Sequence, residues 1–365
     1  MMIKANVFLK AIQSQSVLKR FKKSLPISQF KEQVRKILRP NDFLKTEARP
    51  TVGLNIGNYY LKGLIFKGDS LSDYFIEPNE DLVKTLGKVW AQKKISAKSV
   101  KISIKNPSCL VRYFSFPKME KKRLEQALFY ELNKHIPFSP EEVYFDYYIL
   151  KDASPTELSI LLAVAKKDYI DNILEAFKTL GVEVSEINLD SICIFNLFLD
   201  NCSDNKEINS CILDIGSSFS VMTIVNKGVP FLTRDVKFST KDIVAIVART
   251  KGLKPGEVEK QLVSSPDAGE FLEFIQSGIS GLCKEMKSSF DYFEVNKGEH
   301  IDKVYLTGGL ASIKDIESVF AEALDVEVSL LPNIPSFLKK LDGQILDERF
   351  NHFKSSFSAA FGLIL

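Results

Sequence analysis

One short pattern occurs twice in this chain, 159 positions apart (214 minus 55). The first copy is Asn55-Ile56-Gly57-Asn58-Tyr59-Tyr60, continuing through Lys62 to Lys67-Gly68. The second is Asp214-Ile215-Gly216-Ser217-Ser218-Phe219, preceded by Cys211-Ile212-Leu213 and continuing to Asn226-Lys227-Gly228. Each copy reads as an apolar strand, a polar or acidic residue, a glycine, a short polar turn, a second apolar strand and a glycine turn. That order predicts a β-hairpin with a tight bend that exposes backbone. A hairpin repeated once in each half predicts two related lobes facing one another.

Such a bend suits an anion. Glycine lets backbone approach a ligand with no Cβ in the way, and successive N–H groups in a turn form a concavity that attracts negative charge. The carboxylate of Asp214 can hold Mg²⁺ through its waters, because magnesium keeps most of its hydration shell and takes one or two carboxylates. A third glycine segment, Val304-Tyr305-Leu306-Thr307-Gly308-Gly309-Leu310-Ala311, reads as a strand ending in a glycine pair. The helix expected after it has apolar positions Ile313, Ile316, Val319, Phe320 and Leu324, with Ser312 as N-cap and Asp315 three residues on. Glycines at a strand-to-helix turn allow a flat ring or a phosphate to lie against backbone, and close helix-on-sheet packing asks for the same residues.

With 365 residues, 45% hydrophobic and 26% charged, the chain can bury a large core and divide into two or three domains. Its apolar runs, 158–165 and 191–199, are far shorter than the ~18 residues of a membrane span. Five cysteines lie scattered without a C-x-x-C pair, as expected of buried free thiols in a cytosolic protein. His135, His300 and His352 lack metal-ligand spacing, which argues against a zinc site.

Charge is uneven along the chain. Residues 1–50 hold twelve Lys or Arg and three Asp or Glu, a balance of +9, so the rest carries −6 within a total of +3. Val17, Leu18, Phe21 and Leu25 fall at helical spacing among Lys19, Arg20, Lys22 and Lys23, the pattern of a basic amphipathic helix. Such a segment fits an anionic membrane surface, a partner-docking helix or a partly disordered tail, and it shares its lack of acid with transit peptides.

Pro40 and Pro50 bracket a linker, after which 51–208 reads as a first lobe and 209–365 as a second. In the first, a helix over 81–92 and the alternating strand Val100, Ile102, Ile104 complete a strand-helix-strand unit. A βαββα block over 109–180 follows, with a helical stripe Leu124, Leu128, Leu132, Ile136 and a capped turn Ser139-Pro140-Glu141-Glu142. The second lobe contains a helical outer part over about 240–293 and ends in a helix, 353–365, expected to pack back on the first lobe.

In order and spacing, the three glycine segments resemble the two phosphate loops and the adenosine loop of the superfamily of actin, heat-shock chaperones and sugar kinases. Within it the chain is similar to the PilM family of type IV pilus assembly proteins, relatives of the cell-division protein FtsA. Pro117-Lys118-Met119, His135-Ile136-Pro137-Phe138, 161–166 with Gly181-Val182, 285–293 and Ala359-Ala360-Phe361-Gly362-Leu363 carry the same resemblance, which spans about 51–365. It implies an α/β, actin-like (ribonuclease H-like) duplicated fold, with the 109–180 block as the inserted subdomain of this branch. It further implies a cytoplasmic scaffold that binds ATP or ADP with Mg²⁺. The phosphates would meet Asn55, Gly57, Asn58, Lys62, Asp214, Gly216, Ser217 and Ser218. Adenosine would meet Glu285, Lys287, Gly308, Gly309 and Leu310, with the metal on Asp214.

Several of these positions keep a second reading. Lys62 matches a lysine kept in this hairpin by similar sequences and is otherwise an exposed strand residue. Glu285 and Lys287 are either adenosine-facing or a solvated helix face, and Ser288 stands where relatives often have a basic side chain. Asp190 is the candidate for orienting an attacking water, and an acidic helix N-cap looks identical. The first loop departs most from its relatives. Asn55 stands where they have aspartate, and Tyr59-Tyr60 where they have small hydroxyl residues, so divalent-cation binding should weaken and turnover should be at most that of a slow ATPase. The implied partner is the cytoplasmic tail of a PilN-like bitopic inner-membrane protein, docking between the insert and the first lobe. Self-association and membrane contact through residues 1–50 accompany it, and nucleic acid does not. An FtsA-like membrane-associated filament protein and a degenerate sugar-kinase-type phosphotransferase are the alternatives from other classes.

Overall fold

The computed structural model describes residues 50–68, 70–202, 207–264, 271–332, 334, 335, 338 and 347–365. The expected basic helix around residues 17–25 lies outside them. Its first sheet contains β1 (Thr51–Ile56), β2 (Tyr60–Lys67) and β3 (Ser70–Pro78). Helix α1 (Leu82–Gln92) follows, with Asp81 as its N-cap accepting from the Lys84 N–H at 3.1 Å, and then β4 (Ser99–Ile104). The insert runs β5 (Cys109–Pro117), α2 (Lys121–His135), β6 (Val143–Ser154) and β7 (Glu157–Lys166). Helix α3 (Lys167–Thr179) returns the chain to β8 (Glu183–Leu189), from which α4 (Asp190–Asn201) leaves.

The second half repeats this order. Strands β9 (Asn209–Ile215), β10 (Ser220–Asn226) and β11 (Val229–Val236) are followed by four helices: α5 (Thr240–Lys251), α6 (Pro255–Ser264), α7 (Leu272–Gly278) and α8 (Ser280–Lys297). Then come β12 (Lys303–Gly308), α9 (Ile316–Leu324), β13 (Glu327–Leu330), α10 (Glu348–Phe353) and α11 (Ser358–Gly362). The two five-stranded sheets have one topology, β3-β2-β1-β4-β8 and β11-β10-β9-β12-β13. In each, three antiparallel strands form a meander and two further strands run parallel to the first. The duplication seen in the glycine turns therefore extends to the whole sheet.

Burial follows from where each strand lies. β1 and β9 are central and covered on both faces, so burial is near-continuous along them and takes in Gly53 and Asn55 of β1 and Asn209 and Ser210 of β9 as well as the apolar residues. α4 fits between the sheets, which is why nine of its residues are buried, and Phe198 meets Tyr305 of β12 edge-on at 5.3 Å. In the insert, β7 is central in the order β5-β7-β6. Its Leu158, Ile160, Leu162 and Val164 pack with the predicted stripe of α2, while Leu161, Ala163 and Ala165 join the core of the first lobe. Helix α3, grouped with the insert in the sequence reading, buries Ile170, Ile173 and Phe177 in that same core. It belongs physically to the lobe.

Two local expectations need correction. The helix after the glycine pair begins at Ile316, not at Ser312. Leu310–Ser312 forms a 3₁₀ turn, and Asp315 enters α9 with φ 63° and no side-chain cap bond. The predicted apolar positions are nevertheless all buried. The C-terminal helix is broken: a 3₁₀ segment, Lys354–Phe357, separates α10 from α11. There Thr307 Oγ1 donates to Ser355 O at 3.0 Å and lies 2.7 Å from Ser358 Oγ, which pins the break against β12.

α11 then packs on α4 so closely that a Cβ at Gly362 would collide with the Cys193 carbonyl, a backbone group that cannot turn aside. Gly362→Ala should lower stability by about 2 kcal/mol or more in urea unfolding, since overpacking against fixed atoms costs roughly 1–3 kcal/mol. An unchanged midpoint would mean that the two helices separate readily.

Candidate functional site

The three glycine segments meet at one cleft between the lobes. In the first turn Gly57 N–H donates to Tyr60 O at 3.1 Å, and Asn79 Nδ2 donates to Gly57 O at 2.9 Å. In the second, Gly216 O accepts from the N–H of Thr240, the first residue of α5, at 2.9 Å. The turns touch across the cleft: Asn58 Nδ2 donates to Ser218 Oγ at 3.1 Å, and the Lys241 ammonium lies 3.2 Å from the centre of the Tyr59 ring. The third turn carries Gly308 at φ 91°, where a Cβ would run into the Asp214 carboxylate and Ile215. Only glycine fits there.

A cavity of about 690 Å³ lies between these turns, within the range of small-molecule sites. Asn55, Gly57, Asn58, Lys62, Asp190, Asp214, Gly216, Ser217, Ser218, Gly308, Gly309 and Leu310 all line it. Glu285 and Lys287 do not. Glu285 faces β11, where it pairs with Arg234 at 3.3 Å, and Arg234 also donates to Ser289 Oγ at 3.0 Å. The second-lobe wall is built instead by Thr240, Lys241 and Val244 of α5 and Glu259 and Leu262 of α6, beside Leu310 and Ile313.

At the floor sit four charged groups and one amide. Asn55 is 2% exposed, and its Nδ2 donates to both carboxylate oxygens of Asp190, at 2.8 and 2.7 Å, and to Ser103 Oγ at 3.1 Å. The Asn55 amide nitrogen is thus turned toward the acid. An aspartate here would set two carboxylates against each other. Asp190 is the first residue of α4, Leu189 is the N-cap, and so the N-cap reading of Asp190 does not hold.

Burial pushes the Asp190 carboxyl up to about 6, the Asp214 charge adds to the rise, and Lys105, Asn55 and Ser103 pull it back. Lys62 stands on β2 in register with Asn55. Desolvation lowers the pKa of its ammonium, against the pull of Asp214 and Asp190 and with the help of Lys105. No described residue hydrogen-bonds to it.

Lys105 is the residue that sequence reasoning missed. Its Nζ lies 2.6 Å from Asp214 Oδ2, both side chains are almost buried (12% and 13% exposed), and it joins the end of β4 in one lobe to β9 in the other. A signal for it existed. Ligands of open α/β sheets gather beyond the carboxyl ends of parallel strands, and Lys105 directly follows such a strand. The donor set suits a phosphate better than a divalent ion. Asp214 already carries an ammonium, Asn55 replaces the second acid, and no three acidic, His or Cys side chains among the described residues are grouped to hold a metal.

The elevated Asp190 pKa has a consequence for stability. An unfolded aspartate titrates near 3.9, so the folded state binds the proton more tightly, and the contribution is full below about pH 4 and lost as pH rises through about 6. Two units correspond to roughly 3 kcal/mol. Asp190→Asn should therefore be about 1–3 kcal/mol more stable than the parent at pH 7.5, with the difference gone at pH 4. Urea unfolding at both pH values checks this, and a less stable variant at pH 7.5 contradicts it.

Comparison with known proteins accords with this geometry. The sequence model of the family described as Type IV pilus assembly protein PilM matches residues 53–365. The fold is similar to that of the PilM-PilN type IV pilus biogenesis complex, with TM-score 0.75 and 20% identity over 87% of this chain and 97% of that one. It is also similar to the ethanolamine utilization protein EutJ from Carboxydothermus hydrogenoformans, with TM-score 0.52 and 11% identity over 90% and 92% of the two chains. At these identities the solved structures establish an actin-like, two-lobed fold. Among the described residues no helix is long and apolar enough to cross a membrane. The family match runs from the first strand of the first lobe to the last residue, and the chain belongs to the type IV pilus assembly protein PilM family.

Proposed function

We propose that this chain is a nucleotide-binding scaffold of type IV pilus assembly, or of a related secretion machine, holding ATP or ADP between its lobes. The observation that carries this reading is the convergence of two glycine hairpins and a glycine strand end on a cavity that also contains a desolvated lysine, Lys62. A part-buried ammonium with no hydrogen-bond partner among the described residues gains a charge-assisted hydrogen bond from an arriving phosphate oxygen. The apolar side chains Val244, Leu262, Leu310 and Ile313 offer a wall for a flat base. Turnover is disfavoured. Asp190, the group that would orient an attacking water, is engaged by Asn55, and Tyr59 and Tyr60 border the space where a terminal phosphate would lie.

The partner in this reading is the short cytoplasmic tail of a PilN-like inner-membrane protein, by analogy with the similar complex, which joins PilM to PilN. A second cavity of about 340 Å³ lies where the insert meets both lobes, bordered by Arg112, Phe138 and Asp235. Lys105, Asp190 and Phe219 border both cavities, which supports energetic coupling between nucleotide and tail. The insert also reaches the second lobe directly, through Tyr113 Oη and Thr233 Oγ1 at 2.9 Å, so a ligand at that junction would bear on the angle between lobes.

Calorimetric titration of the full chain with ATP tests the reading. Saturable binding is expected, and Lys62→Met should weaken it by about 10–100-fold, the worth of a charge-assisted hydrogen bond of roughly 1.5–3 kcal/mol. Repeating the titration with a peptide of the tail should change ATP and peptide affinities by one common factor. No binding of ATP contradicts the nucleotide reading, and unequal factors contradict the coupling.

A further inference from the structure

Building on the reading that the cleft holds a nucleotide phosphate, we infer that the ammonium of Lys105 stands where a divalent metal would, so this chain binds nucleotide without Mg²⁺. Lys105 Nζ lies 2.6 Å from Asp214 Oδ2 and 3.4 Å from Asp214 O, on the wall of the cavity. An ammonium has three donors, and Asp214 accepts at most two of them. The third is left for the cavity.

Its position relative to the phosphate turn is equally specific. The point where a Cβ would stand on Gly216 is 2.8 Å from Lys105 Nζ, so the ammonium occupies the gap that the missing side chain leaves beside the turn. The ring of Phe219, the last residue of that turn, flanks it at 5.1 Å. A phosphate seated on the Gly216 backbone would thus meet Lys105 on the side where Asp214 would otherwise hold a hydrated metal.

A divalent ion would have to displace this arrangement. Magnesium in nucleotide sites relies on one or two protein carboxylates besides the phosphates. Asp214 is already paired with Lys105, and the corresponding residue of the first hairpin is an amide committed to Asp190 and Ser103. Expelling Lys105 from its pair would leave a nearly buried ammonium without its counter-ion. Lys62, which lines the same cavity, supplies a second positive charge to the phosphates.

Titration of the full chain with ATP in EDTA and again in Mg²⁺ decides the point. Dissociation constants within about threefold of each other are expected. Lys105→Met should bind at least tenfold more weakly in EDTA and recover with Mg²⁺, because Asp214 is then free for the hydrated ion. Wild-type binding that falls tenfold or more in EDTA overturns the inference while leaving the nucleotide reading intact. The comparison on the wild-type chain stands even if Lys105→Met fails to fold. Absence of wild-type binding in both buffers overturns the nucleotide reading and this inference together.

Discussion

The ion pair between Lys105 and Asp214 holds the molecule in the form described. It joins the end of a parallel strand in one lobe to the central strand of the other, at the bottom of the cleft, with both side chains nearly out of solvent. A buried pair of this kind contributes little net stability compared with apolar packing, yet breaking it by removing one partner costs about 3–5 kcal/mol because a charge is stranded. Its main effect is therefore on geometry. It sets how near the two glycine turns come, and the Asn58–Ser218 hydrogen bond and the Lys241–Tyr59 contact complete the closure above it.

The duplication makes the chemical asymmetry readable position by position. Asn55 pairs with Ser103 in the first sheet as Asp214 pairs with Thr307 in the second, and Lys105 then occupies the place that Gly309 takes in the other half. The second half keeps the acid and the bare glycine. The first half replaces the acid by an amide and the glycine by a lysine. Together these changes remove one negative charge and add one positive charge at the cleft floor, which favours retaining an anionic ligand. They also hold Asp190 in direct contact with the amide, where an acid in its place would have repelled it.

Much of this fold is written in local pattern. The repeated hairpins, the stripe Leu124, Leu128, Leu132 and Ile136, and the apolar positions of α9 all depend on spacing within a few residues, and all lie where their periodicity put them. The site was partly readable for the same reason, since a glycine turn announces itself by its own residues. What escaped depends on distance in sequence. Asn55 and Asp190 are 135 positions apart and Lys105 and Asp214 are 109 apart, and nothing in either neighbourhood marks the partner. Glu285 looked suited to a ligand until β11 placed Arg234 beside it. The start of α9 moved because backbone bonds within the 3₁₀ turn, from Ser312 N–H to Gly309 O and from Ile313 N–H to Leu310 O, take the place of the expected side-chain cap.

In the function proposed for it, the cleft retains nucleotide and has lost its means of cleaving it. Phosphate release from ATP by the full chain at pH 7.5, followed to many times the stoichiometric amount, tests that most directly. Release no faster for the parent than for Asp190→Asn is the predicted result. Steady multiple turnover by the parent that Asp190→Asn abolishes would contradict it, because Asp190 would then be free to orient water despite its contact with Asn55.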